Sequence, residues 1–150
     1  MYLLDTNVVS ELRRPKPHGA VLAWLASIDE QDLYLSSFSL GEIQRGVEMT
    51  RQQDVTKAKS LEMWLDQLTG AFGVLALDTA VMREWARMMH KRSNTLREDA
   101  MLAATARVHG LQMVTRNTSD FEVLGVDCFN PFNFCFYSNR INDHAVANNI

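Results

Sequence analysis

Four acidic residues, Asp5, Glu42, Asp99 and Asp120, punctuate a chain of alternating strands and helices, and three of the four follow strand ends or adjoining helix starts on what would be one edge of a sheet. Carboxylates crowded together repel one another, and hard divalent cations relieve that repulsion through oxygen ligands. Mg²⁺, with Mn²⁺ as a substitute, is the natural occupant of such a set. Against a phosphodiester, ions of this kind activate an attacking water and stabilise the departing oxygen. No single acid makes the case. Asp5 follows the apolar run Tyr2-Leu3-Leu4, and an Asp ahead of a helix is also an ordinary N-cap. Ser39-Leu40-Gly41-Glu42 has the S-x-x-E form of a capping box, which would put Glu42 in a first helical turn. Asp99 falls in the first turn of a helix whose alanines, Ala100, Ala103, Ala104 and Ala106, make it slim enough to lie close on a sheet. Asp120 follows Asn117 in what reads as the loop beyond an apolar strand, where both residue types also serve turns.

The elements that would position these side chains follow from apolar spacing. Tyr2 to Asp5 reads as a strand, followed by a short helix that Thr6-Asn7 can cap and that Pro15 and Pro17 stop. Val21, Leu22, Trp24, Leu25 and Ile28 recur at helical spacing. A brief strand, Leu33 to Leu35, precedes a helix opening at Ser39 and running to about Thr50. Val55, Ala58, Leu61, Leu65 and Leu68 mark a longer helix ending at Gly70, and Val74 to Leu77 reads as the third strand. Helices from Asp78-Thr79 to Lys91 and from Arg97 to His109 precede strands at Gln112 to Thr115 and Val126 to Phe129. Strands that alternate with helices must pair in parallel, because the helices cross over the sheet. The expected fold is therefore α/β: a three-layer α/β/α sandwich around a mainly parallel sheet of four to five short strands. Its functional crevice should lie at the carboxyl ends of the strands.

The bulk properties narrow the function classes. At 150 residues, with 47% hydrophobic and 22% charged content, the chain reads as one ordinary globular domain. Cys128 and Cys135 have no CxxC or zinc-ligand spacing, so a reducing, cytoplasmic setting is expected. Asp5 interrupts the first apolar run too early for a signal peptide, and no window is long enough to span a membrane. A net charge of −3 argues against a uniformly basic nucleic-acid surface. Basic residues are nonetheless grouped, at Arg13, Arg14 and Lys16 and again at Arg83, Arg87, Lys91, Arg92 and Arg97. There is no phosphate-binding GxxxxGK[ST] loop, no second Asp of a DxD phosphatase pattern and no G-x-S-x-G elbow. His18, His90, His109 and His144 have no metal-binding spacing.

Taken in order, the segments Leu3-Leu4-Asp5-Thr6-Asn7-Val8-Val9-Ser10-Glu11, Ser39-Leu40-Gly41-Glu42-Ile43-Gln44-Arg45-Gly46, Asp99-Ala100-Met101-Leu102-Ala103-Ala104-Thr105-Ala106 and Val114-Thr115-Arg116-Asn117-Thr118-Ser119-Asp120-Phe121, with Asn130-Pro131-Phe132, form a specific pattern. It resembles the PIN-domain family, and within it the VapC-like and FitB-like toxins of bacterial toxin–antitoxin pairs. The resemblance implies that Asp5, Glu42, Asp99 and Asp120 form an acidic metal site, with Thr6, Asn7, Thr115 and Asn117 as supporting polar groups. It also implies an endoribonuclease acting on structured RNA, often transfer RNA. A homodimer is implied, silenced by a small antitoxin through which operator DNA is met. The nuclease domain would cover residues 1–132, leaving 133–150 as a partly disordered extension. From its composition alone, the aromatic segment Phe132 to Tyr137 is expected to pack against the fold or a second subunit. Two rivals remain: a non-catalytic dimeric scaffold of a DNA-binding regulatory complex, and a metal-dependent phosphatase or other small-molecule hydrolase.

Overall fold

The structure is a computed structural model and describes residues 1–135. Five short strands, β1 (Tyr2–Leu4), β2 (Leu33–Ser36), β3 (Gly73–Leu75), β4 (Gln112–Val114) and β5 (Cys128–Phe129), pair in parallel in the order β3-β2-β1-β4-β5. Consecutive side chains of a strand face opposite sides, so a sheet covered on both faces has apolar residues at consecutive positions. Leu3 and Met113 accordingly enter one core and Leu4 and Val114 the other, with Leu3 in register with Met113 and Leu4 with Val114.

The first core is filled by α5 (Thr79–Met89), α6 (Arg97–His109) and α7 (Thr118–Val123), through Val81, Met88, the α6 alanines and Phe121. The second is filled by α1 (Thr6–Val9), α2 (Gly19–Ala26) and α4 (Val55–Ala71), through Val8, Val9, Val21, Trp24 and Leu68. The result is the three-layer α/β/α sandwich that the alternation implied. Helix α3 (Ser37–Arg51) packs along α4 and touches both cores, Phe38 on one side and Leu40 and Ile43 on the other.

Ala100, Ala103, Ala104 and Ala106 are all fully buried, so the slimness of α6 does let its backbone approach the sheet. The helix stops at Gly110, whose φ of 64° lies in the left-handed region, and the Leu111 N–H closes back onto the Ala106 carbonyl at 2.8 Å.

Three expectations are corrected. Helix α3 does not open at Ser39: Ser36, the last residue of β2, is the N-cap, and its hydroxyl accepts the Phe38 N–H at 3.1 Å. Glu42 therefore sits in the second turn, and the Ser39–Glu42 capping box does not form. The segment around Asp120 is no loop, because Asp120 lies in the first turn of α7. Strands β3 and β5 are also displaced or shortened, to Gly73–Leu75 and Cys128–Phe129. Of the C-terminal aromatics, Phe132 and Phe134 pack against the second core. The expectations for Phe136, Tyr137 and the rest of the tail lie outside the described residues.

Candidate active site

The carboxyl ends of β1 and β4 are adjacent, because the two strands pair in register. Asp5 follows β1 and Thr115 follows β4, and the Asp5 N–H bonds to the Val114 carbonyl at 2.9 Å. Asp5 stands at the N-cap position of α1, but its side chain makes no capping bond. Its carboxylate accepts the buried Thr115 hydroxyl at 2.6 Å and the Asn7 side-chain amide instead. Asn7 also reaches the Thr115 hydroxyl oxygen, and its carbonyl oxygen accepts the Arg116 N–H at 3.2 Å. The Asn117 N–H bonds to the Thr115 hydroxyl oxygen at 3.0 Å. One bonded unit thus joins the first helix to the loop after β4.

The other acids arrive on separate elements. Thr6, beside Asp5, donates its hydroxyl to Glu42 at 2.6 Å, which ties α1 to α3. Asn117 donates its side-chain amide to Asp120. Asp99 is half-buried in the first turn of α6. Burial, followed by the charges of Asp5, Asp120, Glu42 and Glu98, pushes its carboxyl up to about 6. Burial also raises Asp5, against the pull of the Thr115 hydroxyl. It raises Glu42 as well, where the Thr6 hydroxyl opposes it and the Asp5 and Glu98 charges add to it. The structure therefore brings Asp5, Glu42, Asp99 and Asp120 into one electrostatic neighbourhood, with Thr6, Asn7, Thr115 and Asn117 bonded to three of them.

The donor set suits a hard cation: carboxylate oxygens with hydroxyl and amide groups around them, and no thiol or imidazole. Repulsion gathered on Asp99 is what a bound cation would relieve. Among the described residues, no three His, Cys, Asp or Glu side chains already converge tightly enough to enclose an ion. Asp5, Glu42 and Asp120 are instead turned onto hydroxyl and amide donors. Mg²⁺ keeps several waters and commonly takes one or two carboxylates directly, so this disposition is compatible with it.

Against family models, residues 2–126 match the PIN domain. The chain belongs to the PIN domain family. Toxin FitB of Neisseria gonorrhoeae is 34% identical over 139 residues, covering 88% of this chain and 99% of that protein. VapC ribonuclease Y4jK of Sinorhizobium fredii is 34% identical over 142 residues, covering 88% and 98%. The solved structure of FitAB bound to an IR36 DNA fragment superposes on this PIN domain with a TM-score of 0.76. It is 32% identical and covers 91% of this chain and 99% of that one.

Two charged groups of this PIN domain were not anticipated as parts of the site. Glu98 adds to the field on Asp99 and Glu42; its only sequence signal was adjacency to Asp99. Glu11 is 1% exposed, and accepts Arg14 at 3.0 Å, Arg116 at 3.2 Å and the His18 N–H at 2.9 Å. The Arg116 guanidinium lies 4.0 Å from the centre of the Phe132 ring. Glu11 therefore clamps the loop that carries Thr115 and Asn117. Nothing in its spacing distinguished it from a solvated acid.

Proposed function

We propose that this chain is a metal-dependent endoribonuclease and the toxin of a toxin–antitoxin pair. The observation that carries the reading is Asp99, raised to about 6 by burial and by three carboxylates from three other elements. Such crowding disfavours the metal-free fold, which makes sense where a cation is to be held. Kinship with proteins named as a toxin and a ribonuclease supports the substrate class.

Asp5, Asp99, Glu42 and Asp120 would hold Mg²⁺, or Mn²⁺ in its place. When bound, the ion would supply charge neutralisation and Lewis acidity at an RNA phosphodiester. The chain's own groups keep the acids aimed. Thr115 and Asn7 fix Asp5 on the β1–β4 edge, Thr6 restrains Glu42, and Asn117 restrains Asp120. Because Asp99 must be ionised to serve as a ligand, metal affinity should rise as pH passes through about 6.

By the same kinship, the chain would act as a cytoplasmic homodimer on structured RNA such as transfer RNA. A small antitoxin would silence it and carry the pair to operator DNA. Among the described residues no helix is long and apolar enough to cross a membrane. Residues 1–132 would constitute the nuclease domain and 133–150 an extension to it. The scaffold reading draws support from the relative whose solved structure includes DNA.

The test is incubation of purified protein with total RNA, with and without Mg²⁺. Cleavage should need the metal. It should fall by orders of magnitude in Asp5→Asn and Glu42→Gln while both variants keep the parent's circular dichroism. Metal-independent cleavage, or undiminished cleavage by Asp5→Asn, would remove the metal assignment. No cleavage at all would leave the scaffold reading.

A further inference from the structure

An open cavity of about 710 Å³ adjoins the acids, lined by Phe38, Gly41, Arg45, Gly46, Met49 and Leu77, with Glu42 and Glu98 on its site-ward side. Its volume lies within the range of small-ligand sites, roughly 300–1,000 Å³. We propose that this cavity is a nucleotide subsite, taking one base of the RNA strand beside the scissile phosphate and the flanking phosphate on Arg45. The proposal rests on the nuclease reading and adds where the substrate strand is gripped.

Three observations point to that occupant. The cavity is continuous with the acids, since Glu42 lines it and is bonded to Thr6 next to Asp5. A strand seated in it would lie against Glu42, one of the four acids.

Its lining matches a base and its phosphate. Phe38, Leu77 and Met49 offer apolar surface to the flat faces of a ring, and aromatic and soft side chains are what unstacked bases pack on. Glu98 offers an acceptor of the kind that pairs with exocyclic amines. Arg45 is exposed and has no ion pair among the described residues, although its charge acts on Glu42. It is a free cation at the edge of an anionic site, placed to meet a phosphate.

The floor is kept open without a reason internal to the fold. Gly41 and Gly46 lie inside α3, where glycine disfavours the helix relative to alanine. A Cβ built at either position meets nothing within 4 Å. Packing within this chain does not require them, whereas a flat ligand against the helix does.

The test uses the full-length protein and a fluorescein-labelled single-stranded oligoribonucleotide, with binding read by anisotropy in Ca²⁺. Gly46→Ala should melt above the parent and bind RNA less tightly, since its methyl enters the space assigned to the base. Gly46→Leu, which fills the cavity with a good helix former, should weaken RNA binding at least tenfold. It should still hydrolyse bis(4-nitrophenyl) phosphate, which has no base, at the parental rate. Arg45→Gln should weaken binding and lower the slope of log affinity against log salt by about 0.7, one phosphate contact on a single strand. That slope also decides the matter if Gly46→Leu does not fold. Parental RNA affinity in Gly46→Leu, an unchanged salt slope in Arg45→Gln, or a change of oligomeric mass in Gly46→Leu overturns the subsite, the last by assigning the cavity to a second copy. RNA binding that responds to both variants without hydrolysis of either substrate would sink the nuclease reading and leave the subsite standing.

Discussion

Asp99 is the one acid of the four whose carboxyl accepts no hydrogen bond among the described residues, and it carries the repulsion of the other three. Its carboxyl stands at about 6 in the fold against 3.8 for the free side chain. Between those values the folded chain holds a proton that the unfolded chain has already released. Stability of the metal-free protein must therefore fall as pH rises from about 4 to about 6, and the loss is complete above that window. Asp99→Asn removes the repulsion at neutral pH. In EDTA near pH 7 it should melt above the parent, and the decline between pH 4 and 6 should shrink; a part remains because Asp5 and Glu42 are raised as well. Thermal melts across that range decide it, and a variant no more stable than the parent at neutral pH would contradict the crowding. Asp99 itself was legible, since an acid opening an alanine-rich helix is a visible pattern. Glu11 was not, because its burial depends on Arg116, 105 residues away in sequence.

Helix α3 shows where reading elements from sequence fails. Ser36, Ser37 and Ser39 all precede an apolar stretch, and each carries the same capping signal. What selects Ser36 is the sheet: it pairs with Leu75 at the end of β2, so the chain turns into helix directly after it. Ser39 is left inside, fully buried, with no partner for its hydroxyl among the described residues. Ser36→Ala should lose about 1 kcal/mol in a chemical melt, as cap removals do. Ser39→Ala should leave stability unchanged or raise it, since a buried hydroxyl without a partner is already unfavourable. The opposite ranking would restore the capping box. Helix α7 escaped notice because Thr118-Ser119-Asp120 has the composition of a turn and the helix spans six residues. The Glu11 clamp belongs to this scale too, binding the turn after α1, the start of α2 and the loop after β4. Glu11→Ala, which leaves the His18 N–H without its acceptor and frees two half-exposed guanidinium groups to water, should destabilise by on the order of 1 kcal/mol in urea unfolding.

At the scale of the molecule, the alternation of strands and helices made parallel pairing and three layers legible. The strand order was not, because nothing local to β1 says that β2 and β4 will flank it. The assembled site should make stability depend on metal. Mg²⁺ at about 100 times its dissociation constant should stabilise the fold by about 2.7 kcal/mol through mass action. The melting temperature should rise with Mg²⁺ in the parent and much less in Asp5→Asn. The Thr115–Asp5 bond spans 110 positions of chain. Synthesis proceeds at about 5–20 residues per second, so the strand bearing Asp5 waits on the order of ten seconds for the segment bearing Thr115. During that interval the ribosome carries a chain whose acids have no common address. A chain cut off before Thr115 would leave Asp5 without that hydroxyl, so the chemistry proposed for the site must wait on a segment made long after the acid it steadies.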